Sequence, residues 1–237
     1  MIPRIIHYCW FGHGPMPELV LKCITSWHKY MPDYQYKLWN EVNFDINFNS
    51  YVRESYEAGK YAFVSDVVRL YALEQYGGIY LDVDFEVYRS FDDLLGHHAF
   101  AGFEGSKYTP VMMGVIASEA HGKWVSEQLQ KYETRHFYKD GKMDLTTNVK
   151  FVTEEMRANG FLPNGLEQDY KDLHIFPVEY FCPRLTTGEC IRTENTYCEH
   201  KGVDSSWAKK TIKERFLFAF GPKTRTILIK MKRRIIG

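Results

Sequence analysis

Two aspartates separated by one residue, Asp82 and Asp84, are the groups in this sequence best suited to chemistry. Read as a strand, the stretch Gly77 to Asp84 and on into Phe85 alternates. Ile79, Leu81, Val83 and Phe85 face one way, and Tyr80, Asp82 and Asp84 the other. The two carboxylates then share a face, with Cα atoms roughly 6.6 Å apart. Acidic oxygens at that spacing suit a divalent cation, or a cation and a ligand hydroxyl divided between them. An amphipathic edge strand with two solvated acids fits the same eight letters, so the neighbouring residues carry the weight.

The segment before them supplies that weight. From Tyr61 to Tyr76 the apolar residues Ala62, Phe63, Val64, Val67, Val68, Leu70, Tyr71, Ala72 and Leu73 cover nearly the whole circumference of a helix. A helix that is apolar all round is a buried one. Asp66 and Arg69 nevertheless stand in it, three residues apart on one face. Buried charges are paired or bound, because desolvating either alone costs several kcal/mol. Two readings follow: a structural ion pair, or a pair whose spare hydrogen-bonding capacity faces a polar ligand. Gly77 and Gly78 then let the helix stop sharply and the chain turn into the strand.

Other elements must place these groups. Ile5–Trp10 reads as a short buried strand, followed by a loop through Gly12, Gly14, Pro15 and Pro17. Helical spacing over Glu18–Tyr30, a strand over Tyr34–Trp39 and a short helix ending near Gly59 follow. Val111–Ala117 and Leu173–Phe176 read as strands, Lys123–Phe137 and Val149–Ala158 as helices, and 183–205 as irregular chain. Strands alternating with helices predict an α/β protein: a mixed, mainly parallel sheet flanked by helices, with its site at the carboxyl ends of the strands.

Composition narrows the function classes. Thirty basic residues balance thirty acidic ones in 237 residues, so no net field recruits nucleic acid. The opening MIPRIIHYCWFG holds no apolar run of signal-peptide or membrane-span length. Five cysteines, an odd number without a CxxC pair, fit a reducing compartment, and Cys182, Cys190 and Cys198 read as free thiols rather than a zinc site. The expected localisation is cytoplasmic.

IPRIIHYCWFG at residues 2–12 and YAFVSDVVRLYALEQYGGIYLDVDFE at 61–86 resemble glycosyltransferase family 32, the sugar transferases named for a DXD motif. NTYCEHKGVDSSW, residues 195–207, is a weaker C-terminal match. The resemblance implies a GT-A type nucleotide-sugar-binding fold over residues 1–221. It also implies a retaining, metal-dependent transfer of a hexose or N-acetylhexosamine, UDP-sugars being favoured. It casts Asp82, Asp84 and His200 as the holders of Mn²⁺ or Mg²⁺. Asp66 and Arg69 become the grip on the donor sugar, with Ser65 beside them. Trp10 becomes the ring stacked on the nucleotide base, and Ser206 and Trp207 the pair closing over the donor. Where that family often carries two adjacent histidines, this chain has His200 followed by Lys201, and the step to Ser206 is longer by one. Glu104 and Asn148 are weaker candidates. The catalytic set is Asp66, Arg69, Asp82 and Asp84.

The expected partners are a nucleotide-sugar donor and a glycan or lipid-linked glycan acceptor, with capsule or lipopolysaccharide synthesis as the setting. Residues 222–237 mix Lys223, Arg225, Lys230, Lys232, Arg233 and Arg234 with six aliphatic or Met side chains, a basic amphipathic tail suited to an anionic membrane surface. Three alternatives use related parts. A nucleotidyltransferase needs a basic Gly-rich loop after the first strand, and FGHGPMPEL has no Lys or Arg. A glycoside hydrolase needs carboxylates flanking the sugar bond without metal. A non-catalytic sugar-binding module would have no need of the Asp pair or Arg69.

Overall fold

The computed structural model describes residues 1–105, 110–184 and 189–202. In chain order the elements are β1 (Ile5–Cys9), α1 (Glu18–Tyr30), β2 (Gln35–Trp39), α2 (Ser50–Glu57), α3 (Tyr61–Tyr76), β3 (Gly78–Leu81), β4 (Phe85–Val87), β5 (Ala99–Phe103), β6 (Val111–Ser118), α4 (Lys123–Gln130), β7 (Tyr138–Lys139), β8 (Lys142–Met143), α5 (Asn148–Ala158), β9 (Gln168–Tyr170), β10 (Leu173–Phe176), α6 (Val178–Phe181) and β11 (Cys198–His200). They lie within one unit, Met1–Val203. Ser206, Trp207 and the basic tail 222–237 fall outside the described residues. Among those described, no helix is long and apolar enough to cross a membrane.

Seven strands form one sheet in the order β2-β1-β3-β6-β5-β10-β9. The β1–β2, β1–β3 and β5–β10 pairs are parallel; β3–β6, β5–β6 and β9–β10 are antiparallel. The sheet is therefore mixed and evenly divided, as an α/β protein of this expected type requires only in part. Because β6 runs against both neighbours, β1, β2, β3, β5 and β10 still leave the sheet at one common edge.

Pleat alternation sorts side chains to two cores. Tyr80, Ile116 and Ala101 pack on one face with Val64, Val67 and Val68 of α3, Val52 of α2, Trp124 of α4 and Met156 of α5. Ile79, Leu81, Val115, Ala117 and Phe100 pack on the other with Trp27 of α1 and Phe181 of α6. Burying one aliphatic or aromatic side chain is worth about 1.5–3 kcal/mol, so these two layers hold the sheet rigid between them.

Local signals set the boundaries near the site. Asn49 caps α2, its side-chain oxygen accepting from the Val52 N–H at 2.9 Å. Helix α3 is buried along Val64, Asp66–Leu70, Ala72 and Leu73, as its apolar circumference predicts. It ends where Gly77 adopts φ +62°, and a Cβ there would stand 2.6 Å from the Ala120 nitrogen. Gly78 (φ +108°) passes as close to the Ile5 carbonyl.

Four expectations are corrected. The strand bearing Asp82 and Asp84 stops at Leu81, so the two acids occupy a turn and do not share a pleated face. The first strand ends at Cys9, leaving Trp10 just beyond it. The helix from Lys123 ends at Gln130 rather than Phe137. There the buried Tyr132 and Phe137 pull the chain off the helical path, and Glu54 of α2 receives the Phe137 and Tyr138 N–H groups at 2.8 and 3.3 Å. Within 183–205, Cys198–His200 forms β11, paired antiparallel with β4.

Candidate active site

The turn at residues 82–85 is the centre of the site. The Phe85 N–H returns to the Asp82 carbonyl at 3.1 Å, closing the turn as the chain passes from β3 into β4. The Asp82 N–H is held by the Gly114 carbonyl of β6 at 2.8 Å. Gly114 is required there: a Cβ would stand 2.6 Å from the Phe85 ring and 2.9 Å from Asp82 Oδ2.

Arg69 reaches this turn from α3. Its Nε donates to the Ser65 carbonyl at 3.1 Å, its Nη2 to Asp66 Oδ1 at 3.2 Å, and its Nη1 to the Met113 carbonyl. Nη1 also stands 3.5 Å from Asp82 Oδ2, and the guanidinium carbon lies 4.6 Å from the Tyr80 ring centroid. One planar fork thus joins the helix, the turn and strand β6, which a lysine's single ammonium could not do. Tyr80 completes the arrangement, its hydroxyl donating to Asp82 Oδ1 at 2.8 Å.

Burial sets the electrostatics. It raises the Asp66 carboxyl to about 7 despite Arg69 and Arg135, with the charge of Asp82 adding to the rise. Asp66 therefore takes up a proton more readily than an exposed aspartate does. Burial also shifts Asp82 upward against the pull of Arg69, although about 35% of its side chain meets solvent. For Arg69 burial works against the charge, but Asp82, Tyr80 and Asp66 more than reverse it. Asp84 is buried at the opposite end of the turn.

His200 arrives from β11. Its Nε2 lies 2.9 Å from Asp84 Oδ2, and its ring stacks on Phe85 with centroids 4.9 Å apart. Burial opposes its protonation, but the Asp84 hydrogen bond and the charges of Asp84, Asp82 and Glu104 outweigh that and raise its pKa. The residue just before it explains its placement. Glu199 is fully buried and gathers Arg184 (2.7 Å), Arg192 and Lys201 (3.2 Å), with the Tyr88 hydroxyl at 2.9 Å. Burial alone would raise its pKa, yet those donors hold it down at about 2. The Lys201 N–H also bonds the Asp84 carbonyl at 2.8 Å.

The expected residues divide as follows. Asp66, Arg69, Asp82, Asp84 and His200 come together, with Ser65 one turn away, its hydroxyl donating to the Tyr61 carbonyl at 3.1 Å. Trp10 follows β1 at the same edge, half-buried, with its indole N–H on the Gly14 carbonyl at 2.6 Å. Glu104 follows β5 there as well. Asn148 is buried at the start of α5, with its Nδ2 unpaired among the described residues. Sequence reasoning missed Tyr80 and Gly114; the alternation did put Tyr80 on the acid-bearing face, but nothing local pointed to a strand carbonyl behind the turn.

Carboxylate oxygens and one imidazole nitrogen at a turn fit a hard divalent cation. Among the described residues, however, no group of three His, Cys, Asp or Glu side chains is arranged to hold one unaided. A cation there needs oxygens from a ligand, which a diphosphate carries.

Fold and site together define an α/β protein whose mixed sheet gathers Asp66, Arg69, Asp82, Asp84 and His200 near one edge. Residues 17–101 match the family model described as a glycosyltransferase sugar-binding region containing a DXD motif. Inositol phosphoceramide mannosyltransferase 3 of Schizosaccharomyces pombe is 35% identical over 103 residues, 42% of this chain and 29% of that one. Mannosyl phosphorylinositol ceramide synthase SUR1 of Saccharomyces cerevisiae is 32% identical over 104 residues, 42% of this chain and 27% of that one. The chain thus spans less than a third of these curated relatives. Among solved structures, the PaToxG glycosyltransferase superposes with a TM-score of 0.47 at 18% identity, covering 67% of this chain and 71% of that one.

Proposed function

We propose that this chain transfers a hexosyl or N-acetylhexosaminyl group from a nucleoside-diphosphate sugar to a hydroxyl of a glycan or glycolipid, with retention at the anomeric carbon. The observation that carries this is the bridging of Asp66 and Asp82 by Arg69 at the sheet's carboxyl edge, beside the Asp82–Asp84 turn.

Each residue has a task in this reading. Trp10 stacks on the base; base–aromatic stacking is worth about 1–3 kcal/mol. Asp66 and Arg69 hold the sugar hydroxyls, the first as an acceptor or donor and the second as a rigid fork of donors. Asp82, Asp84 and His200 would hold Mn²⁺ or Mg²⁺, which when bound neutralises charge building on the departing diphosphate. Arg69 adds a fixed positive charge on the same side and costs no reorganisation as that charge develops. No carboxylate is marked as a covalent nucleophile, so retention is read as a same-face displacement in which the leaving phosphate takes the acceptor proton. Ser206 and Trp207, outside the described residues, take the donor-covering role that the resemblance assigns them.

The donor and setting are open to a direct choice. The two yeast relatives are named for mannosyl transfer to inositol phosphoceramide, which adds GDP-mannose to the UDP-sugars as candidates. Capsule or lipopolysaccharide synthesis stays in our reading as the setting, in the cytoplasm and, through the tail 222–237, at a membrane surface. Vesicle co-sedimentation against a chain ending at Pro222 tests the tail, and equal binding would discard it.

The deciding assay is incubation with UDP-glucose, UDP-galactose, UDP-N-acetylglucosamine and GDP-mannose plus Mn²⁺, following nucleoside-diphosphate release. Release with one donor, lost in Asp84→Ala, supports a transferase. Turnover that needs pyrophosphate would point to a nucleotidyltransferase, and binding without turnover to a sugar-binding module.

A further inference from the structure

One more carboxyl group stands at the same sheet edge as the Asp82–Asp84 turn. Glu104 follows Phe103, the last residue of β5, and is half-buried. Its N–H donates to the Pro110 carbonyl at 3.0 Å, much as the Asp82 N–H donates to Gly114. The two acids therefore flank the opening of β6, tied to carbonyls four residues apart, about 13 Å of strand. Arg69 touches the Met113 carbonyl between them. Glu104 lies at the same sheet edge as Asp82, after the strand on the other side of β6, and no described side chain hydrogen-bonds it. A half-buried carboxyl group that no described side chain hydrogen-bonds has capacity for a ligand.

Strand order gives that ligand a direction. Trp10 follows β1 on one side of β3, and Glu104 follows β5 on the other side, beyond β6. A nucleotide-sugar laid with its base at Trp10 and its diphosphate at the Asp82–Asp84 turn meets Glu104 last, where the second substrate must approach.

Resting on the transferase reading above, we propose that Glu104 binds the acceptor: its carboxylate takes a hydrogen bond from the attacking hydroxyl and orients it toward the anomeric carbon. The C1–O bond to phosphate breaks, the C1–O bond to the acceptor forms, and the hydroxyl proton goes to the released diphosphate. Glu104 aligns the hydroxyl and keeps no proton.

The test uses the full chain with Mn²⁺, the donor that turns over, and methyl α-glycosides of mannose, glucose and galactose as acceptor probes. Glu104→Gln, nearly isosteric, is expected to lower kcat/KM for the accepted glycoside about 10- to 100-fold, the usual effect of losing a hydrogen bond to a charged group. Its affinity for the donor in titration calorimetry should stay within about twofold of wild type. Glu104→Asp, which keeps the carboxylate, should recover part of the transfer. Equal loss of donor affinity and transfer, or unchanged transfer, would overturn the assignment. So would a wild-type chain that turns over donor but prefers water to every glycoside. A wild-type chain releasing no nucleoside diphosphate from any donor would sink the transferase reading itself, and this assignment with it.

Discussion

His200 Nε2 lies 2.9 Å from Asp84 Oδ2, although 116 residues separate them in sequence. Phe85, stacked on the imidazole, fixes the ring from behind, and Glu199 anchors the strand that carries it. Replacing His200 with Ala is expected to weaken Mn²⁺ affinity in the presence of nucleoside diphosphate by about 10- to 100-fold, the usual range for groups that orient or join a metal site. Calorimetric titration of Mn²⁺ measures it; an unchanged constant would remove His200 from the cation site.

Arg69→Lys tests whether the fork matters or only its charge. A single ammonium cannot reach Asp66, Asp82, the Ser65 carbonyl and the Met113 carbonyl together. Donor turnover is expected to fall by at least about 100-fold, a loss of roughly 3 kcal/mol of transition-state stabilisation. Arg69→Met, which strands the buried Asp66, should also destabilise the fold by roughly 3–5 kcal/mol in urea unfolding. A lysine variant with wild-type turnover would reduce Arg69 to a structural partner.

Gly114→Ala adds one methyl group where the Asp82 carboxylate and the Phe85 ring already stand within 3.0 Å of it. Overpacking of this kind costs about 1–3 kcal/mol. Because the displaced group is Asp82, turnover should fall by at least about tenfold, and the melting temperature should drop with it. A variant with normal melting and normal turnover would show that the turn has slack.

His7 makes the fold acid-sensitive from a point away from the turn. It is fully buried in β1, with Nε2 donating to the Gly77 carbonyl at 2.8 Å and Nδ1 accepting the Trp39 indole N–H at 3.1 Å. Burial, with the charge of Lys37 adding, lowers its pKa to about 4 against the Gly77 hydrogen bond. The unfolded chain therefore binds a proton near pH 6.5 that the folded chain refuses. This stabilisation is complete above pH 6.5 and is lost as pH falls through 4, about 3 kcal/mol in all. Unfolding free energy measured between pH 7 and 4 should show this slope, and His7→Gln should flatten it.

Much of this was legible in the sequence because it is periodic. The apolar circumference of α3 announced burial, and two charges within it announced a paired or bound function for Asp66 and Arg69. Gly77 and Gly78 announced the turn. The location of Asp82 and Asp84 in a turn was not legible, because Val83 and Phe85 continue the alternation that Ile79 and Leu81 begin. The ending of α4 was hidden for a related reason: apolar residues continue past Gln130, while the partners that draw the chain off the helix, the core around Tyr132 and Phe137 and the carboxylate of Glu54, are distant in sequence. Strand β11 is three residues long and centres on a buried glutamate, so no hydrophobic pattern marks it. Its order comes from three cations converging on Glu199.

The carbonyls of Met113 and Gly114 carry a last consequence. One receives the guanidinium of Arg69 and the other the amide of Asp82, so consecutive peptide units of β6 act as the gauge that spaces base from acid. Both units lie downstream of residues 17–101, the stretch that the family model matches. A chain cut after Ala101 would keep every recognisable letter of the motif and lose the ruler against which those letters are set.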